Sequence, residues 1–137
     1  MGVTACVTDQ FKQDCLNGRA FSGDTIKIAL YVQASSSLGK STTAYTSTGE
    51  ISGTGYSAGG LTLVGFSVGL SGDVAYLTWS NPSWSSATIT ADACMIYDSS
   101  NSNHSIALYT FGSTSSTNGT FGLTFPAAGA TSTITLT

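Results

Sequence analysis

The stretch EISGTGYSAGGLTLVGFSVGL, residues 50–70, decides the fold. Its first half, Gly53-Thr-Gly55-Tyr-Ser-Ala58, satisfies the relaxed spacing of a dinucleotide-binding loop. Such a loop works only between a strand and a helix, because helix N-terminal amides and the helix dipole hold the phosphates. The next segment, Gly59 to Leu70, is rich in glycine and in β-branched or aromatic residues, which are poor helix formers. Its apolar residues alternate, which is strand periodicity, and no lysine sits in the loop to meet a phosphate. The glycines therefore serve a sharp turn or a close approach of two strands, with Tyr56 held on a glycine-rich corner. Within the second half, Leu61 and Leu63 share one phase while Phe66, Val68 and Leu70 take the other. The change of phase predicts a β-bulge near Val64-Gly65.

The same reading extends in both directions. Upstream, TIKIALYV (25–32) alternates and then becomes continuously apolar, as a buried strand does. Residues 35–48 are polar and read as a long loop with a weak strand around Tyr45. Downstream come a turn at 71–73, a strand VAYLTW (74–79), a break at Asn81-Pro82, and a long strand ATITADACMIYD (87–98). In that strand Ile89, Ala91, Ala93, Met95 and Tyr97 are expected on one face. A turn at 99–104 and strands at 105–111, 120–125 and 132–136 complete the set. The only helix signal is TDQFKQDCLN (8–17). Thr8 can cap it, Asp9 suits its positive end, Gly18 can stop it, and Val7, Phe11, Cys15 and Leu16 form its apolar stripe. Seven or eight short strands with turns between them predict an all-β chain. The expected form is an antiparallel β-sandwich, jelly-roll or immunoglobulin-like, with one short N-terminal helix. We expect one domain over 1–137, with 1–18 as an N-terminal arm and helix.

Composition narrows the function. Of 137 residues only 8% are charged and 41% are hydrophobic, while 22 serines and 21 threonines replace the missing charges. The outer faces of the strands are therefore hydroxylated. The four basic residues, Lys12, Arg19, Lys27 and Lys40, all lie in the first 40, leaving that part at +1 and the remainder at −4. Nucleic-acid binding needs clustered Lys and Arg and is not expected. No apolar run has the length of a membrane span, so no membrane partner is expected, and no secretion signal is read at MGVTACVTDQ. Cys6, Cys15 and Cys94 show neither disulfide-framework nor zinc spacing, and Cys94 reads as a small buried hydrophobe. His104 reads as a solvated turn residue rather than part of a hydrolytic triad. Asp98, Asn101 and Asn103 miss the calcium-loop spacing. We expect no catalytic residues, no metal, no cofactor and no enzymatic activity. Trp79 and Trp84 bracket a proline turn. They read as core, with stacking on a sugar as the functional alternative.

The segments DTIKIALYVQASSSLGKSTTAYTSTGEISGTGYSAGG (24–60) and WSSATITADACMIYD (84–98), with the closing Asn118-Gly119-Thr120-Phe121 and Phe125-Pro126-Ala127-Ala128, carry a resemblance. The chain resembles a group of small β-rich proteins encoded among the virion genes of tailed bacteriophages, from about Phe11 to Leu136. It departs from the group at Asp92, where a basic residue is usual. The resemblance implies a virion structural protein, made in the host cytoplasm and located in the virion. The expected role is a capsid decoration, or cement, protein that binds the major capsid protein as a homo-oligomer, a trimer being one form. Contacts are expected at Val3, Val7, Phe11, Leu38, Lys40 and Tyr45. The alternative is a tail, collar or fibre component that binds host glycans through Trp79 and Trp84.

Overall fold

The strand Ile26–Tyr31 (β2) is the centre of the molecule, and in this computed structural model almost every residue of it is buried. The structure describes residues 6–126 and 134–136. In chain order the other elements are β1 (Cys6–Val7), α1 (Asp9–Leu16), β3 (Leu61–Thr62), β4 (Ser67–Ser71), β5 (Val74–Thr78), β6 (Ser83–Asp98), β7 (His104–Gly122) and β8 (Ile134–Leu136). They form two antiparallel sheets, β1-β7-β6-β2-β3 and β4-β5-β8, with a single α-helix among the described residues. The chain is all-β and sandwich-like, as expected.

Around β2 both faces of the five-stranded sheet are covered, whereas the first half of β6 buries one face only and much of the second half of β7 is exposed. On one face Ile26, Ile28, Leu30, Cys94, Ile96 and Ile106 meet Phe11 of the helix, Leu77 and Ile134 of the smaller sheet, and Trp79 just after β5. On the other, Ala29, Tyr31, Ala93, Met95, Tyr97 and Leu108 lie under Leu38 and Tyr45 of the long polar loop. Two-sided burial is why IALY and ACMIY read as continuous apolar runs. The loop expected over 35–48 thus forms a third layer.

Three details depart from expectation. No bulge lies at Val64-Gly65. β3 pairs with β2 in the large sheet, whereas β4 pairs with β5 in the small one. The chain changes sheet between them, with Gly65 at φ +73°. The phase break in the sequence marks that crossing. The β6–β7 ladder is irregular instead, with four register shifts; in the largest, Ala91 pairs with Thr114 but Ala93 with Thr110, so Asp92 alone faces three residues of β7. Consequently Ile89 and Ala91 face the small sheet, while Ala93, Met95 and Tyr97 face the loop, and the five do not share a face. Finally, the strand expected at 105–111 and the start of the one expected at 120–125 are one strand, β7, joined through the Ser/Thr run, and residues 123–125 lie outside it. The expected strand at 132–136 is described only over Ile134–Leu136; its first two residues lie outside the described residues.

Candidate functional site

The glycine-rich stretch has a structural task. Ile51 N–H donates to the Leu30 carbonyl at 3.0 Å, and Leu61 rejoins β2 opposite Ile28. Between those points the chain loops out, and Tyr56 folds back so that its hydroxyl accepts the Leu30 N–H at 2.9 Å. A phenol fills the gap where a strand would have supplied a carbonyl. The Tyr56 hydroxyl donates in turn to Glu50 Oε1 at 2.6 Å, which also accepts the Gly59 N–H at 2.7 Å. Glu50 Oε2 accepts the Tyr45 hydroxyl at 2.5 Å, and the Tyr97 hydroxyl donates to the Gly59 carbonyl at 2.6 Å. Burial, and then bonding to Glu50, pushes the Tyr45 and Tyr56 phenols well above their ordinary range. Both carboxylate oxygens are engaged internally, so this cluster closes the sheet edge.

A second constellation lies where the helix meets the β6–β7 turn. Thr8 caps α1: its Oγ1 accepts the Phe11 N–H at 3.2 Å and donates to the Ser105 carbonyl at 3.0 Å. Asp9 N–H donates to the Lys40 carbonyl at 2.9 Å. Ser105 N–H donates to the Thr43 carbonyl, Ser105 Oγ to the Thr42 carbonyl at 2.5 Å, and Tyr45 N–H to the Asn103 carbonyl. These bonds join the helix N-terminus, the 39–45 loop and the 98–105 turn into one continuous face.

His104 differs from the expected solvated residue. Its Nδ1 lies 3.0 Å from Asp14 Oδ2, and Asp14 also accepts from Asn101 Nδ2 and Gln10 Nε2, each at 3.1 Å. A carboxylate in the helix's last turn, ninety residues away in sequence, thus fixes the imidazole. Ser105 alternates to the buried side of β7, and its hydroxyl meets Thr8 and Thr42 rather than His104. Asn101, whose spacing fails for calcium, instead ties the turn to the helix. Among the described residues no three His, Cys, Asp or Glu side chains converge as metal ligands would.

Beside this face lies an acidic corner. Asp98 ends β6 with its side chain only 1% exposed. One oxygen accepts the Ser100 N–H at 2.9 Å; the other has no hydrogen-bond donor and lies 3.7 Å from Arg19 Nη2. That same nitrogen is 2.6 Å from Asp24 Oδ2. Burial first, and then the hydrogen bond and charge of Asp24, raise the Asp98 carboxyl to about 6. Burial likewise pushes the Cys94 thiol up to about 12 and raises that of Cys15; both cysteines are free.

The expected contact residues divide into two groups. Lys40 is exposed on the joined face, where Tyr45 is half-buried and stacks on Tyr97 at 4.9 Å, while Val7 is half-buried against the helix-side core. Phe11 and Leu38 are buried and point inward, so they support the face without forming it. Phe11 packs on Phe21 at 5.2 Å, which is where an amphipathic helix must put its largest apolar side chain. Leu16, expected in the helix stripe, is 91% exposed, and Asp14 is buried in its stead. Val3 lies outside the described residues. Trp79 and Trp84 are each only 5% exposed, packing on Phe66 and on Phe121 and Tyr56 respectively. Neither presents a ring face to a sugar. Comparison with protein-family models, with curated proteins and with solved structures finds no match to this chain.

Sequence reasoning missed the Asp14–His104 pair and the Arg19–Asp24–Asp98 corner. Each joins residues more than seventy positions apart, and only the sparsity of charge in this chain hinted that its ionisable residues would be paired.

Proposed function

We propose that the protein is a bacteriophage virion structural protein, and specifically a capsid decoration protein that binds the outside of an assembled head as a homo-oligomer. The supporting observation is the joined face. Three segments distant in sequence, the start of α1, residues 39–45 and residues 98–105, are locked together by backbone hydrogen bonds into one preformed surface. Preformed surfaces bind with little ordering cost. This one exposes many hydroxyls and few charges, Lys40 and the Asp9–Lys12 pair, and His104 and Asp14 beside it are already paired with each other. A hydroxylated surface with few charges can dock without stripping water from unpaired ions, which is the large penalty in burying charge. Many weak copies on one lattice then reinforce one another.

The test is co-sedimentation with heads built from the accompanying major capsid protein, followed by imaging. Density on the outside of the head is expected, with binding retained in high salt. Lys40→Glu together with Thr43→Trp on the joined face is expected to weaken binding about tenfold or more, the scale of a lost interface contact. Density on the tail or fibre, or complete release in moderate salt, overturns the proposal.

A further inference from the structure

We propose that β4 is a self-association edge: two copies pair β4 with β4, antiparallel, about a two-fold axis at Gly69, joining two three-stranded sheets into one of six strands. Pairing in dilute buffer needs no head, so this association is independent of the capsid role.

The large sheet ends in β1 and β3, each only two residues long, and short edges are a standard protection against edge-to-edge pairing. The small sheet ends in β4, which is five residues long and has the sequence SVGLS. It carries no charge and no proline, and it pairs continuously with β5 without a bulge. Among the described residues its other side meets no strand. Backbone groups along such an edge are satisfied by another strand.

The side chains point the same way. Val68 lies opposite Leu77, and Leu77 opposite Ile134, so all three share the inner face of the small sheet. Leu77 and Ile134 are buried, but Val68 is 65% and Leu70 77% exposed. The inner face overhangs the core there, leaving a cleft of about 270 Å³ against α1, whose apolar lining includes Phe11, Cys15, Phe21, Val68, Leu77 and Ile134. Exposed apolar clusters of this kind mark interaction surfaces.

Charge selects both the occupant and its direction. A patch that meets its own copy must be free of like charges, and β4 has none although the chain carries a net −3. Next to β4 along the chain, Asp73 sits in the turn between β4 and β5, and Arg19 lines the cleft beside Val68. Antiparallel pairing sends the two acidic turns to opposite ends of the seam, whereas parallel pairing would set them side by side. Pairing about Gly69 places Val68 of one copy opposite Leu70 of the other, on the apolar face, and Ser67 opposite Ser71.

The experiment is sedimentation equilibrium from micromolar to millimolar protein, with Leu70→Lys and Ser67→Cys/Ser71→Cys variants. The expected result is a dimer. Its dissociation constant should rise on the order of a hundredfold or more in Leu70→Lys, since the change counts twice across a two-fold axis. Leu70 is exposed, so the far-ultraviolet spectrum and urea midpoint of that variant should be unchanged. Mild oxidation of the cysteine variant should give a covalent dimer whose disulfide maps by mass spectrometry to position 67 of one copy and 71 of the other. A monomer throughout, a trimer or open filament from β4 meeting β8, a dimer indifferent to Leu70→Lys, or a dimer without that disulfide each overturns the proposal.

Discussion

Asp98 is the residue whose altered chemistry falls between pH 4 and 8. Its unfolded-state carboxyl titrates near the ordinary value of about 3.9, whereas in the folded protein it titrates at about 6. The folded state therefore holds the proton more tightly. The stability this group contributes is fully present below about pH 4 and is lost as pH rises through about 6, on the order of 2 kcal/mol over that window. An asparagine keeps a neutral donor toward Asp24 at every pH. Asp98→Asn should therefore match the wild type in urea unfolding at pH 4 and become the more stable of the two by pH 8. If the difference between the two proteins stays flat from pH 4 to 8, Asp98 is not held protonated by burial and by Asp24. The neighbouring Arg19 does not abolish the shift, because it is engaged at 2.6 Å by Asp24 and stands 3.7 Å from Asp98.

Among the elements, those whose periodicity depends on one covered face were legible in sequence, and those decided by distant partners were not. The helix was readable from Thr8 and the Val7-Phe11 spacing, and β2 from its apolar run. The glycine-rich corner was readable because Gly and Tyr56 exclude a helix there. The sheet change at Gly65 was visible only as a phase break, since a bulge and a crossing leave the same mark on one strand. The largest shift in the β6–β7 ladder, opposite Asp92, was invisible because ADA reads as ordinary alternation; the surplus residues are on β7. Likewise Lys40 and Tyr45 were picked out as contacts in sequence while the 98–105 turn beside them was not, and the inward turn of Phe11 and Leu38 depended on what covers them. Gly60 shows how tightly the corner is built. Its φ is +78°, and a Cβ added there would run into the Ile28 carbonyl oxygen and carbon. Backbone cannot yield as a flexible side chain can. Gly60→Ala should cost more than about 3 kcal/mol or prevent folding, against about 1 kcal/mol for the same change at an open left-handed glycine such as Gly72. Equal urea midpoints for the two variants would mean that β3 and the loop do not hold against β2 in this way.

At the scale of the whole molecule, the balance of forces is set by how little charge there is to balance. The described charged contacts are Lys12–Asp9 and Arg19 with Asp24 and Asp98, and His104 lies at hydrogen-bond distance from Asp14. The first is largely exposed on both partners, and such pairs contribute little. The others cluster at one end, where the helix and its following loop meet the β6–β7 turn. Everything else rests on a sheet buried on both faces around β2, on the tyrosine hydroxyls that close its edge, and on hydroxyl side chains outside. Salt shortens the Debye length from about 10 Å at 0.1 M to about 3 Å at 1 M, and it acts mainly on exposed charge. Apolar burial is not weakened by sodium chloride and is strengthened by excluded salts such as sulfate. The unfolding free energy should therefore change by less than about 1 kcal/mol between 0.1 and 1 M sodium chloride, and rise in sodium sulfate at equal ionic strength. A loss of about 2 kcal/mol or more in sodium chloride would mean that the charged corner, rather than the two-sided sheet, carries the fold.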